Sequence, residues 1–344
     1  MSLTVREMTA ADFARWEGYV AAHPQATFFH RPGWKRVIEA SFGQACPSLC
    51  AERHGQIVGI LPLAHYKSAL FGNALISNGA CMGGGPLADD DAAYDALDQA
   101  AIALLHRVGA SYIEYRRPLR RHADWAFKDD LYANFERPLA EKEDDNLKQI
   151  PRKQRADVRK TLDNAALSDV LDDSVDVFHA LYAESVRNLG TPVFAKKYFR
   201  NLKAEFGADC DILNIFHEGR PVSGVLSFYF RDKVMPYYAG ASGNSRGLRA
   251  ADFMYWRLGR RAVERGYRVF DFGRSKVGTG PYAFKKNWGF EPEPIVHEFY
   301  LPGGGSLPEV NPTNPKYRLM ISVWKKLPLP VANLLGPLIV RNIG

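Results

Sequence analysis

Apolar and polar positions along this chain fall into the same order twice. His54-Gly55 is a polar turn and Gln56-Ile57-Val58-Gly59-Ile60-Leu61 is a β-rich run, so this segment predicts a hairpin. Glu218-Gly219 followed by Arg220-Pro221-Val222-Ser223-Gly224-Val225-Leu226 has the same form. Later in each half come a helix, a glycine and a strand. The first set is Ala92 to Arg107, Gly109, and Ala110 to Arg116; the second is Ala250 to Arg265, Gly266, and Tyr267 to Phe272. Leu97, Ala101, Ile102, Leu104 and Leu105 give the first helix an apolar stripe. Asp89, Asp90 and Asp91 precede it, where acidic residues suit a helix N-terminus. Glu114 and Asp271 fall at matching places after Gly109 and Gly266. Two matched signatures in order predict a duplication, with units of roughly 150 residues. Within each unit the order of helices, hairpin strands, helix and strand predicts α/β layers around a mixed sheet. The expected domains are residues 1–146 and 147–302, with a C-terminal extension over 303–344.

Between the units, Lys148 to Lys160 holds six basic residues and one acid. Pro151 can open a helix at its first turn. Arg152, Arg155 and Arg159 then lie close to one face, which suits phosphates as well as it suits a solvated domain junction. At the C-terminal end, Gly303-Gly304-Gly305-Ser306 with Pro308, Pro312 and Pro315 reads as a loop, and Lys316 to Lys326 as a helix. Leu327-Pro328-Leu329-Pro330 interrupts it, and Val331 to Val340 is mostly apolar. That last segment is too short and too proline-rich to span a bilayer. It leaves two expectations: docking on the protein body, or lying on a membrane surface beside Arg318, Lys325 and Lys326.

Composition narrows this picture only in part. The 344 residues are 46% hydrophobic and 24% charged, which favours a folded chain. A net charge of +7 favours anionic partners without choosing among nucleic acid, nucleotide-sugar and anionic lipid. Cys46, Cys50, Cys81 and Cys210 form no CxxC pair and no histidine pair has zinc spacing, so neither a disulfide framework nor a metal is expected. Met1 to Arg15 lacks an apolar signal core, and the expected location is cytoplasmic, with peripheral contact at the inner membrane left open.

The chemistry concentrates near residue 270. Arg268 to Phe272 is a short apolar strand carrying Asp271; a glycine-rich turn follows; then Tyr282-Ala283-Phe284-Lys285-Lys286-Asn287-Trp288-Gly289-Phe290 sets two lysines between aromatics. A lysine in a partly dry pocket can stabilise the oxyanion formed when an amine attacks an ester or thioester. The same residues also fit a strand, a turn and a surface lysine pair. Gly240 to Ala251 is a glycine-rich loop feeding a helix, able to offer N–H groups to a pyrophosphate or carboxylate, with Arg246 and Arg249 adding charge. It matches neither a Walker A sequence nor GxGxxG, and a plain strand-to-helix turn explains it equally. Thr27 to Arg36 puts aromatics beside three cations at a helix start near Pro32, and Gly83-Gly84-Gly85-Pro86 is a turn that admits a ligand to the backbone. His30 reads as polar surface or as a base.

Together, Phe29-His30-Arg31-Pro32-Gly33-Trp34, the Gly83–Pro86 turn, and the Asp271-Phe272-Gly273-Arg274-Ser275 and Tyr282–Phe290 segments resemble FemAB-type proteins. These are tandem GNAT-fold enzymes, and known members add amino acids from aminoacyl-tRNA to the peptide stem of peptidoglycan precursors. Pro151 to Arg155 and Asn314 to Arg318 resemble the branch associated with exosortase and PEP-CTERM exopolysaccharide systems. The resemblance covers about residues 5–340. It implies two GNAT-like domains of α/β (α+β) class and an acyltransferase or aminoacyltransferase that uses acyl-CoA or aminoacyl-tRNA. The acceptor would be an amine or hydroxyl of an anionic or lipid-linked envelope precursor; no DNA is expected. Lys285, with Lys286 competing, would lie by the reacting carbonyl beside Phe284. Asp271 is the candidate base. Lys35 is the nearest match to a phosphate-contacting lysine. Tyr282, Arg274, Arg246, Arg249, Arg152, Arg155 and Arg159 are candidate substrate contacts. Family members that dock tRNA often carry a long coiled-coil arm in the second unit, and only a short basic helix is evident here. The contrasting expectation is a binding or assembly factor that grips an anionic polymer or membrane partner without turnover.

Overall fold

The computed structural model describes residues 3–68, 72–117, 119–171, 174–305, 307 and 315–342, without the side chains of 315–319. The expected loop residues Ser306, Pro308 and Pro312, and Asn314 of the exosortase-type ending, lie outside the described residues.

The chain divides into two compact units. One is Met1–Asp130 with Ile295–Val310 and Arg341–Gly344; the other is Leu131–Pro294 with Asn311–Val340. In the first unit, β1 (Thr4–Glu7), helices α1 (Phe13–Ala22) and α2 (Pro32–Phe42), and β2 (Ser48–Arg53) precede β3 (Gln56–Ser68) and β4 (Gly72–Ser77). After β5 (Leu87–Ala88) come α3 (Asp91–Val108), β6 (Tyr112–Arg117) and β7 (Ala126–Lys128). Neighbours run β1-β2-β3-β4-β6, and β6 is parallel to β4 because α3 crosses between them. The β2–β3 turn is His54-Gly55, both at positive φ, as a two-residue hairpin turn matched to strand twist requires. Asp90 caps α3 by accepting the N–H of Ala93 at 2.9 Å. Leu97, Ala101, Leu104 and Leu105 bury the expected stripe against Leu61, Leu63 and Ile113. Each such buried leucine or isoleucine stabilises by about 1.5–3 kcal/mol.

The second unit repeats the scheme. It holds β8 (Tyr132–Pro138), α4 (Glu143–Gln149), α5 (Arg152–Leu162), β9 (Leu167–Leu171), α6 (Val175–Leu189) and α7 (Lys196–Phe206). There follow β10 (Cys210–His217), β11 (Arg220–Phe230), β12 (Lys233–Ala241), α8 (Ser245–Leu248) and α9 (Ala250–Glu264). β13 (Val269–Asp271), β14 (Ser275–Lys276), α10 (Gly280–Asn287) and β15 (Pro292–Pro294) complete the run. Its sheet runs β9-β10-β11-β12-β13, again with one parallel pair, β12 and β13. Glu218-Gly219 forms the second positive-φ hairpin turn. The duplicated pattern thus becomes two sheets of matching order.

Each sheet is then extended by a strand distant in sequence. β8, which directly follows the first unit's main run, lies antiparallel to β13. β16 (Val296–Tyr300), which follows the second unit's main run, lies antiparallel to β6. The partition therefore falls at 130/131 and 294/295, against the expected 146/147 and 302/303. The expected boundaries followed helix and loop signals; the pairing of β8 and β16 is a long-range choice that local composition does not carry. In the C-terminal extension, α11 (Pro315–Lys326) and α12 (Leu329–Val340) both pack on α6. Pro328 and Pro330 sit at the start of α12, where a missing N–H does no harm. No helix among the described residues is long and apolar enough to cross a membrane.

Candidate active site

The matching acids Glu114 and Asp271 have diverged. Glu114 Oε1 accepts from Arg116 Nε at 2.9 Å and from His297 Nδ1 at 2.7 Å. Burial opposes its charge, yet these cations hold its carboxyl well below the usual range. It is a locked structural ion.

Asp271, 8% exposed, makes no ion pair of that kind among the described residues. The β8–β13 register places Glu136 directly opposite it. Burial and then Glu136 push the Asp271 carboxyl up to about 6, with Lys233, the N–H of Gly273 and the Asn134 side chain pulling the other way. Glu136 itself is tied to Lys233 Nζ at 2.7 Å.

Lys285 enters the same neighbourhood from α10. Pro281 sits in the first turn of this helix, a position where its missing N–H is harmless. Consecutive helical residues point about 100° apart, so only one of two adjacent lysines can face inward. Lys285 does and is 8% exposed, whereas Lys286 is on the exposed side. Lys285 Nζ donates to the carbonyl oxygens of Gly273 at 2.8 Å and Arg274 at 3.1 Å. The Phe135 and Phe272 rings stand 5.4 Å from it. Burial lowers its pKa to about 7, with the Asp271 charge opposing and the Arg274 charge adding to the drop. An ammonium has three N–H donors. Two are used here, and no third acceptor stands among the described residues.

The aromatic candidates form the wall behind this pair. Phe284 packs on Tyr255, Phe272 and Trp288, and Tyr282 meets Phe135 edge-on at 5.2 Å. Arg274 lies over the Tyr132 ring. Sequence reasoning missed Asn134, Phe135 and Glu136. Their signal was the alternation of Ala133 and Phe135, both buried, with half-exposed Tyr132, Asn134 and Glu136. It also missed Asp252, which accepts from Trp288 Nε1 at 2.8 Å and Gln154 Nε2 at 2.7 Å. A cavity of about 190 Å³ lies on the same unit, lined by Arg137, Leu139, Tyr255, Phe270, Trp288 and Phe290 among others. Lys285 and Asp271 are absent from its lining, so it shares a wall with the site without being the site.

The basic candidates separate. Arg246, Arg152 and Arg159 are exposed. Arg249 is paired with Asp157. Arg155 turns back onto the carbonyls of Ile150 and Lys148, closing the end of α4, so the expected three-arginine face reduces to Arg152 and Arg159. The glycine loop after β12 has a packing cause: a Cβ on Gly240 would lie 2.3 Å from Tyr182 backbone atoms. The N–H of Gly243 is taken by Glu184 Oε1 at 2.9 Å.

In the first unit, Lys35 is held by Glu39 Oε1 at 2.5 Å and donates to the Cys46 carbonyl at 2.6 Å. His30 is neither surface nor base. It is 2% exposed, its Nδ1 accepts the N–H of Thr27, and its Nε2 lies 3.2 Å from the Gly85 carbonyl. Burial lowers its pKa to about 4, so it stays neutral. A Cβ on Gly84 would lie 2.6 Å from the Ser77 carbonyl oxygen, so that glycine turn also answers to packing. The four cysteines are buried free thiols.

Residues 146–286, which include Asp271 and Lys285, match a family profile described as an acetyltransferase (GNAT) domain. Among solved structures, FemX matches with a TM-score of 0.68 at 16% identity, over 92% of this chain and 100% of its own. A tandem GNAT protein from the clavulanic acid biosynthesis pathway matches with a TM-score of 0.58 at 15% identity, over 89% and 100%. L-PGS from Bacillus licheniformis matches with a TM-score of 0.50 at 12% identity, over 86% and 95%. No curated protein sequence matches the chain. The two sheets with their helices are therefore a tandem GNAT-like fold, as the resemblance implied.

Proposed function

We propose that this protein moves an activated acyl or aminoacyl group to an amine or hydroxyl of a cell-envelope or exopolysaccharide precursor. The single observation that carries the reading is Lys285: a desolvated lysine anchored by two carbonyls, with one N–H to spare, beside an acid of raised pKa. Buried ionisable groups with shifted pKa values concentrate at functional sites. The acceptor nitrogen or oxygen attacks the carbonyl carbon of the donor. Lys285 in its ammonium form stabilises the tetrahedral oxyanion, and the Asp271 carboxylate takes the acceptor's proton. The carbonyl re-forms as the bond to the leaving thiolate or ribose oxygen breaks, and that group departs with the proton that Asp271 took up. The new bond is an amide or ester.

The donor is an acyl thioester of coenzyme A or an aminoacyl-tRNA ester. Exposed Arg152, Arg159 and Arg246 supply positive charge for its phosphates. Thermal-shift titrations with coenzyme A, acetyl-CoA, and charged and uncharged tRNA test this. A ligand that binds the native state raises the melting temperature. Coenzyme A and acetyl-CoA both shifting it would identify a thioester donor, and charged tRNA alone an aminoacyl ester. No shift by any of them would overturn both donor assignments.

A further inference from the structure

The C-terminal helices present a surface that the acyl-transfer reading does not use. The inner face of α12 is sealed: Ala332, Gly336 and Val340 are buried, and a Cβ on Gly336 would meet the Val193 backbone nitrogen at 2.8 Å. Its outer face should then be polar, as on an ordinary surface helix. It is not. Val331, Leu334 and Leu335, at helical spacing, are 40%, 72% and 39% exposed. On α11, Met320 and Val323 are 52% and 54% exposed. A helix apolar on both faces has one face still to be covered.

The charge of this segment says by what. Residues 315–344 contain five basic residues (Lys316, Arg318, Lys325, Lys326 and Arg341) and neither aspartate nor glutamate. Lys325 and Lys326 end α11 and are exposed, next to the start of α12. Exposed aliphatic side chains flanked by lysines, on helices too short to span, match the requirements for lying in the headgroup region of an anionic bilayer. The segment carries no acid that would repel an anionic surface.

We infer that α11 and α12 form a peripheral docking surface for anionic lipid membranes, with Val331, Leu334 and Leu335 inserted among the acyl chains and Lys325 and Lys326 at the headgroups. This inference is independent of the acyl donor and of Lys285. Flotation of the full chain with vesicles tests it, using phosphatidylcholine alone and phosphatidylcholine mixed with phosphatidylglycerol. The protein is expected to float with the mixed vesicles and to remain largely unbound with phosphatidylcholine alone. V331E/L334E should lose flotation, and K325E/K326E should lose the preference for phosphatidylglycerol, each with an unchanged thermal melt. Failure of the native protein to float, or flotation of V331E/L334E at the native level, would overturn the inference. So would a dimer in light scattering that V331E/L334E converts to monomer, since a second copy would then cover the face. A variant that no longer melts cooperatively is replaced by L334Q, which keeps the volume and should weaken flotation several-fold.

Discussion

Lys285 and Asp271 make opposite demands on pH, and the two demands can be read separately. Turnover by the proposed route needs Asp271 ionised and Lys285 protonated. Asp271 is raised to about 6 and Lys285 lowered to about 7, so the rate should follow a bell with limbs near those values. Asp271→Asn should slow the reaction and remove the acid limb. Lys285→Ala should lower kcat roughly 10²–10³-fold, the usual effect of deleting one oxyanion donor. Lys286→Ala, on the exposed side of α10, should stay near the native rate. Equal losses at both lysines would sink the assignment.

Stability should respond as well. Between about 7 and the unfolded lysine value of 10.5, the unfolded chain binds a proton that folded Lys285 does not, so this group makes stability rise with pH across that window. Between the unfolded aspartate value of 3.8 and about 6, folded Asp271 holds the extra proton, so stability falls as pH rises there. The ionic form that the proposed route requires is thus the least comfortable to bury. Relative to the native protein, Lys285→Met should gain more in melting temperature at pH 7 than at pH 10. An equal difference at both would show that Lys285 titrates normally.

At the scale of elements, the strongest local signals were hairpin turns and helix stripes, and both became structure. The ambiguous signals were glycines and arginines, because one residue type serves packing and ligand binding alike. The sequence of Gly240 to Ala251 fits a loop for a pyrophosphate or carboxylate as well as a plain turn, and the close approach of α6 to β12 decides for packing at Gly240. Gly240→Ala places a methyl group against the main chain of α6 and should destabilise by at least the ~1–3 kcal/mol of ordinary overpacking. Gly243→Ala meets only Glu184 Oε1 at 3.5 Å and should melt within a degree or two of the native protein. Matching melts for the two would remove the packing argument. The choice between Lys285 and Lys286 was open in the sequence for a related reason. The helical geometry of α10 settles which lysine turns inward, and an eight-residue segment of mixed aromatics and lysines shows too little periodicity to reveal that helix.

For the whole chain, the duplication was legible, but the exchange of the outer strands was not, because pairing partners more than a hundred residues apart leave no mark on local pattern. That exchange matters to the proposed site: β8 brings Asn134, Phe135 and Glu136 to Asp271 and Lys285, and without Glu136 opposite it Asp271 would lose one cause of its raised pKa. In the first unit, β16 supplies Glu298, which accepts the N–H groups of Arg121 and His122 at 3.0 and 2.7 Å, and Phe299, 4% exposed. The strand assignments make a paired prediction for hydrogen exchange in the full chain. Phe299→Ala, a core truncation worth about 3–5 kcal/mol, should raise exchange in β2, β3, β4 and β6. Phe135→Ala should raise it instead in β10 to β13, although Phe135 precedes all of them by dozens of residues. Domains divided at 146 and 302 predict the reverse for both substitutions, so the exchange pattern of these two variants discriminates between the partitions.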